Sequence, residues 1–306
     1  MAEAFASAVI DAPVEAVWDI VRDFNGLPTW HPAIADSTIE DGRDSDSVGC
    51  IRSFHLKSGG HVRERLLMLD DSRYAFAYNF ETPAFPVANY ISEFELLPVT
   101  EGDRTFAQWR AQFDEPPADA GKYSHIISQD VFQAGLRALA DKAAGRATPE
   151  GAIRWQGMRP AKVFCSAVLH ADIQTAWARM RDFARMDEWH PDLTGMVMLD
   201  GARPDKISGV RRFRLGSGEL DEQLTMLCDR TYAFRYKINC SPMPWLNYHA
   251  GARLRPITAT GETFAVWTAD WTASPNDDVS LIPTVHNQVF QRAFDTLNER
   301  HFGARK

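Results

Sequence analysis

RDFNGLPTWHP, residues 22–32, recurs as RDFARMDEWHP at residues 181–191. Arg, Asp, Phe, Trp, His and Pro keep one internal spacing, 159 positions apart in a chain of 306, which chance does not produce. The likeness spreads outward from this peptide. Upstream, FASAVIDAPVEAVW (5–18) matches FCSAVLHADIQTAW (164–177); downstream, RERLLMLD (63–70) matches DEQLTMLCD (221–229), and YAFAY (74–78) matches YAFRY (232–236). Further on, Asn89-Tyr90 answers Asn247-Tyr248, FAQWRAQF (106–113) answers FAVWTADW (264–271), and VFQ stands at 131 and 289. A repeat of about 140 residues has the size of a domain rather than of a solenoid unit. The chain therefore reads as two copies of one domain, residues 1–145 and 161–306, joined by a connector over 146–160 containing Ala, Gly and Pro.

Composition narrows the classes. At 45% hydrophobic and 24% charged, the chain can bury two ordinary cores. No apolar run reaches the roughly 18 residues a bilayer span needs, and MAEAFASAVIDAP lacks a basic stretch before an apolar one, so a cytoplasmic location is expected. Cys50, Cys165, Cys228 and Cys240 form no CxxC pair and occupy different places in the two repeats, against a disulfide frame or a shared metal site. The net charge of −8 disfavours nucleic acid as a partner. Residues 1–150 carry 13 basic and 24 acidic side chains, the remainder 20 and 17, so docking of the first domain on the second is one reading of the charge bias and a solvated surface is the other. Association into homo-oligomers stays open.

Each repeat opens with an alternating strand and an amphipathic segment (Val14, Val17, Trp18, Val21), then runs through short alternating strands. It closes on a helix with Ile127, Val131, Leu136 and Leu139, echoed by Val285, Val289, Phe294 and Leu297. This is an α+β pattern, one curved antiparallel sheet around a terminal helix with short helices after the first strand. Parity then assigns faces. Val62, Glu64, Leu66 and Met68 share one face, as do Leu220, Glu222, Leu224 and Met226, so each apolar face carries a glutamate. A buried carboxylate is costly unless paired, hydrogen-bonded or protonated.

The same parity turns Arg52, Phe54 and Leu56 inward, with Arg211, Phe213 and Leu215 in the second copy. If Leu56 pairs with Val62 across the Ser58-Gly59-Gly60 turn, Phe54 lies opposite Glu64 and Arg52 diagonally from it. Tyr78, Phe80, Tyr90, Ser92 and Trp109 face the same interior, as do Tyr236, Tyr248 and Trp267. An aromatic interior with one carboxylate, one guanidinium and one phenol has the makeup of a small-molecule pocket. His31 and His190 of the repeated Trp-His-Pro are candidates to line the same ligand site. The bland readings stand beside this: a register-fixing ion pair for Glu64 and Arg52, core packing for Trp109 and Trp267, and capping of the short helix for His31 and His190. No other histidine recurs between the copies, and no metal ligand set is apparent.

The RDFxxxxxWHP segment, the G-x-x-R strand, the E-R-L-L-x-L-D strand and the N-Y strand resemble the START-like helix-grip superfamily, in its polyketide cyclase/dehydrase and lipid-transport (SRPBCC) branch. That resemblance covers nearly all of both halves and implies a hydrophobic cavity between sheet and helix, a hydrophobic ligand, and no cofactor. Plant abscisic-acid receptors share the fold: Lys57-Ser58-Gly59 resembles their gate loop, residues 81–88 a second mouth loop, Glu64 their ERL glutamate, and Asn89-Tyr90-Ile91-Ser92 their NYxS strand. Their ligand-anchoring lysine has no counterpart between Pro28 and Glu40 or between Asp187 and Asp205, and Ala250 stands where Ser92 does. Two function classes follow. One is an enzyme of the cyclase, dehydratase or isomerase kind, with Glu64 or Glu222 as base and Tyr90, Arg52, Tyr248 and Arg211 stabilising an enolate. The other is a carrier or sensor of a hydrophobic molecule, with one domain degenerate.

Overall fold

The first domain begins with β1 (Ala2–Ile10), α1 (Val14–Val21) and a 3-10 turn over Phe24–Thr29. A meander follows: β2 (Ile34–Ile39), β3 (Ile51–Leu56), β4 (His61–Asp70), β5 (Ala75–Thr82), β6 (Ala88–Val99) and β7 (Arg104–Asp114). All seven strands form one antiparallel sheet in the order β1-β7-β6-β5-β4-β3-β2. The sheet curves around a helix running from 122 to 143, built of α2 (Lys122–Ile126), a π-helical stretch (Ile127–Gln133) and α3 (Ala134–Ala143). This computed structural model describes residues 1–151 and 161–303; the connector expected over 146–160 therefore lies, from 152 onward, outside the described residues.

The second domain repeats the order. β8 (Val163–Leu169), α4 (Ile173–Met180) and a 3-10 turn (Met186–Glu188) lead to β9 (Leu193–Met198), β10 (Val210–Leu215), β11 (Gly218–Cys228), β12 (Ala233–Cys240), β13 (Leu246–Ile257) and β14 (Glu262–Thr272). Its sheet runs β8-β14-β13-β12-β11-β10-β9, and its helical end comprises α5 (Pro275–Pro283), a π stretch (Thr284–Gln291) and α6 (Arg292–Leu297). No helix among the described residues is long and apolar enough to cross a membrane.

Several shared positions of the repeated peptide that exposes the duplication have a structural role. Arg22 donates to both carboxylate oxygens of Asp71, from Nε at 2.8 Å and Nη2 at 3.0 Å, while Trp18 Nε1 reaches the same group at 2.9 Å. Asp229 receives Arg181 and Trp177 in the same way. These bonds fix the first helix to the turn between the fourth and fifth strands. Asp23 then accepts the Asn25 N–H at 3.0 Å, satisfying a donor at the start of the 3-10 turn.

Three expectations are corrected. First, the β3–β4 hairpin is tighter than the turn residues suggest. Leu56 N–H bonds Gly60 O at 3.1 Å across Lys57-Ser58-Gly59, with Gly59 and Gly60 at φ 91° and 108°. Phe54 therefore lies opposite Val62, and Arg52 directly opposite Glu64. The second domain closes its hairpin between Leu215 and Gly218 yet keeps Arg211 opposite Glu222. Second, a β-bulge between Leu66 and Met68 breaks the alternation, so that Leu69, paired with Phe76, packs on the core in place of Met68; Leu227 replaces Met226 likewise. Third, the π turn adds a residue to the helical repeat, so Phe132 and Phe290 follow Ile127 and Val285 as fully buried residues, while Val131 and Val289 pack against the core only partly buried.

Candidate functional site

Arg52 and Glu64, neighbours on β3 and β4, are 2% and 4% exposed. Arg52 donates from Nε to Glu64 Oε2 at 2.6 Å, and its Nη2 makes an ion-pair contact with the same oxygen at 2.5 Å; both groups converge on Oε2, so Oε1 stands outside the pair. The third arm, Nη1, donates to the Phe24 carbonyl at 2.8 Å, and the guanidinium lies 3.9 Å above the Phe24 ring and 5.1 Å from that of Tyr78. In the second domain Arg211 holds Glu222 Oε2 from Nε at 2.8 Å and Nη2 at 2.5 Å, donates to the Phe183 carbonyl at 2.8 Å, and covers the Phe183 ring at 3.8 Å. Burial raises the pKa of both glutamates, and the adjacent arginines oppose that rise.

The phenols lie next to the pair. Tyr78 is 6.2 Å from Tyr90 between ring centroids, Phe80 stacks on Tyr90 at 4.0 Å, and Phe113 faces it at 5.9 Å. Burial, reinforced by the Glu64 charge, pushes both tyrosines well above the ordinary phenol range, so each is a neutral donor at physiological pH. Trp109 Nε1 donates to Tyr78 Oη and to Ser92 Oγ, each at 3.1 Å, and Ser92 passes its own hydrogen to Arg110 O at 3.0 Å. Tyr236 and Tyr248 repeat the arrangement, 6.5 Å apart and likewise raised, with Trp271 stacked on Tyr248 at 5.6 Å and Trp245 at 4.8 Å. Phe54 and Phe213 complete the surroundings of the guanidinium at 5.8 Å and 5.6 Å. On the opposite face of the same strands, Ile91, Glu93 and Arg110 line an exterior groove of about 430 Å³ that no candidate site residue enters.

His31 and His190 hold the wall rather than project from it. His31 Nε2 donates to Val131 O at 3.1 Å while Nδ1 accepts the Ala33 N–H at 3.3 Å; His190 treats Val289 O and the Asp192 N–H identically. Each ring is thus held as the neutral Nε2–H tautomer, and burial lowers its pKa to about 4. The carbonyl each one binds belongs to the π stretch of the terminal helix, so the histidine ties the short 3-10 turn to that helix.

Sequence reading missed four participants. Phe24 and Phe183 sit under the guanidinium, and their place in the duplicated RDF motif was the available signal. Phe132 and Phe290 stack on Trp109 and Trp267 at 4.6 Å, and both lie in the repeated VFQ. As a whole, the arrangement can exchange a proton at a carboxyl group screened from water and hold a developing oxyanion with guanidinium and phenol donors.

The pattern of the family described as polyketide cyclase/dehydrase and lipid transport matches residues 1–144 and 160–301. The abscisic acid receptor PYL7 of Arabidopsis thaliana is 26% identical over 136 residues, which is 43% of this chain; the chain spans 63% of that receptor's length. A solution structure from Thermobifida fusca is 31% identical, covering 47% of this chain and 93% of its own, with a TM-score of 0.43. The di-domain ARO/CYC BexL from the BE-7585A biosynthetic pathway is 12% identical, covers both chains entirely, and has a TM-score of 0.40.

Proposed function

Because the chain belongs to the polyketide cyclase/dehydrase and lipid-transport family, we propose that its domains take up a hydrophobic, aromatic or polycyclic small molecule and carry out acid–base chemistry on it, of the cyclisation, dehydration or isomerisation kind. The observation that carries this reading is the duplicated, water-screened glutamate, bonded through one oxygen only and flanked by an arginine and neutral phenols.

In this scheme Glu64, or Glu222, takes a proton from a carbon alpha to a carbonyl. The C–H electron pair moves into the enolate, whose oxygen is held by Arg52 and Tyr90, or by Arg211 and Tyr248. The enolate carbon attacks a second carbonyl of the same molecule, and the glutamic acid returns its proton to the alkoxide so formed. A further transfer of the same kind expels that oxygen as water. Phe54, Tyr78, Phe80, Ser92 and Trp109, with Phe213, Tyr236 and Trp267, supply the wall that keeps the substrate folded and dry, and His31 and His190 hold that wall to the terminal helix. Side chains alone balance every step.

A carrier is the second reading, favoured by one observation: Arg52 already neutralises Glu64 and ties Phe24 O to the sheet, which a register lock explains without chemistry. Mass spectrometry of what co-purifies with the full chain identifies the molecule. Turnover and binding are then compared for Glu64→Gln and Glu222→Gln, singly and together. Loss of turnover by about 10²–10⁴-fold with binding retained is expected of the enzyme; unchanged turnover of a confirmed substrate rejects it.

A further inference from the structure

The two interiors differ at one buried donor. In the first domain the Trp109 indole N–H is taken by Tyr78 Oη and Ser92 Oγ. In the second, Ala250 replaces Ser92 opposite Tyr236, and the Trp267 N–H meets no acceptor among the described residues, although its side chain is 0% exposed. It lies near enough to Tyr236 to favour that phenol's anion, but outside hydrogen-bonding geometry. Trp189, 6.2 Å from Trp267 between ring centroids, is a second buried indole without an acceptor among the described residues. An orphaned buried donor is rare, because native folds pair or hydrate nearly all of them.

The side chain facing the same donor from the sheet is also smaller. Phe94, which closes on Trp109 edge-on at 5.4 Å from the sheet, has Ala252 in its place in the second domain. Phe294, in the position of Leu136 on the terminal helix, approaches Trp267 at 5.9 Å and returns only part of that volume. The second interior thus keeps the indole without the phenyl and the hydroxyl that adjoin it in the first, and its donor is unspent.

We propose that the second domain binds a planar aromatic ligand bearing an acceptor oxygen, a carbonyl or quinone type of group, which receives the Trp267 N–H where Ser92 receives that of Trp109 in the first domain. The inference rests on the reading that the interior takes a hydrophobic small molecule, and it assigns recognition of an oxygen by the indole N–H to the second domain alone.

The probes are 9-fluorenone and fluorene, planar tricycles of matched shape with and without the carbonyl, measured by equilibrium dialysis against the full chain. Fluorenone should bind roughly tenfold or more tightly than fluorene, since the carbonyl fills an otherwise unmet donor. Trp267→Phe removes the donor, and Ala250→Ser restores the hydroxyl that satisfies it in the first domain; each should abolish the preference, while Trp109→Phe should leave it intact. Equal binding of the two probes, or a preference that survives Trp267→Phe and Ala250→Ser, overturns the inference and leaves the hydrophobic-ligand reading standing. Failure of both probes to bind overturns both.

Discussion

Arg52 stands directly across the strand pair from Glu64, its Nε 2.6 Å from Oε2, with both side chains withdrawn from water. The two partners are not equivalent when one is removed. An orphaned carboxyl can take up a proton, and burial already raises the Glu64 pKa; an orphaned guanidinium cannot lose one. Glu64→Leu should therefore cost about 3–5 kcal/mol of stability in the first domain. Arg52→Met should cost less, and increasingly so as pH falls toward the carboxyl range. The combined Arg52→Met/Glu64→Leu variant should recover most of the loss, because an apolar pair of similar volume replaces a buried ion pair at little net cost. A double-mutant cycle from urea unfolding measures all three, and equal penalties for the two single variants would contradict this account.

A pH dependence follows from His31 and His190. Each titrates near 4 in the folded chain against an unperturbed value of 6.5, so between those limits the unfolded chain binds more protons. The stability they contribute is fully present above pH 6.5 and declines as pH falls toward 4, by about 2–3 kcal/mol for each histidine. Glu64 and Glu222 act in the opposite direction, since their raised folded pKa values make the folded chain bind more protons as pH falls through the carboxyl range. The unfolding free energy should therefore drop from pH 6.5 to 5, and His31→Gln/His190→Gln should flatten or reverse that slope. A slope unchanged by the two substitutions would show that the rings are not held neutral.

The fold was legible because the chain carries it twice. One repeated peptide marked both domains, and period-two alternation placed Glu64 and Glu222 on the face where they lie. What escaped was local and geometric. The hairpin closes one step earlier than Ser58-Gly59-Gly60 suggests, which slides Arg52 from a diagonal to a direct partner. A bulge at Leu67, invisible in composition, exchanges Met68 for Leu69. The π stretch shifts the helical phase, so a search at spacings of three and four selects Val131 over Phe132. Asn89 and Asn247, at φ 53° and 54°, occupy the left-handed region that asparagine tolerates, and a register shift in the first domain accompanies Asn89 as the chain turns Tyr90 inward. The bulge and the π stretch are each a one-residue insertion into a regular period, whereas the hairpin is a change of register, and the residues that tolerate them are ordinary ones.

The helix–histidine contact yields the last prediction. Gly135 packs so closely that a Cβ there would lie 2.7 Å from His31 Cδ2, 2.9 Å from Nε2 and 3.0 Å from the far edge of Trp109. The imidazole cannot retreat without breaking its bonds to Val131 O and the Ala33 N–H, and Trp109 is stacked on Phe132 behind it. In the second domain Ala293 occupies the equivalent position, fully buried, with the His190 bonds intact at the same lengths. Gly135→Ala should therefore destabilise the first domain by about 1–3 kcal/mol through overpacking, against a helix-propensity gain of under about 1 kcal/mol. Ala293→Gly should cost the second domain about 1 kcal/mol, from the loss of helix propensity and a small buried methyl group. Thermal unfolding of the two variants checks the asymmetry. A Gly135→Ala variant more stable than the parent would show that His31 yields freely, and that it does not clamp the 3-10 turn to the terminal helix.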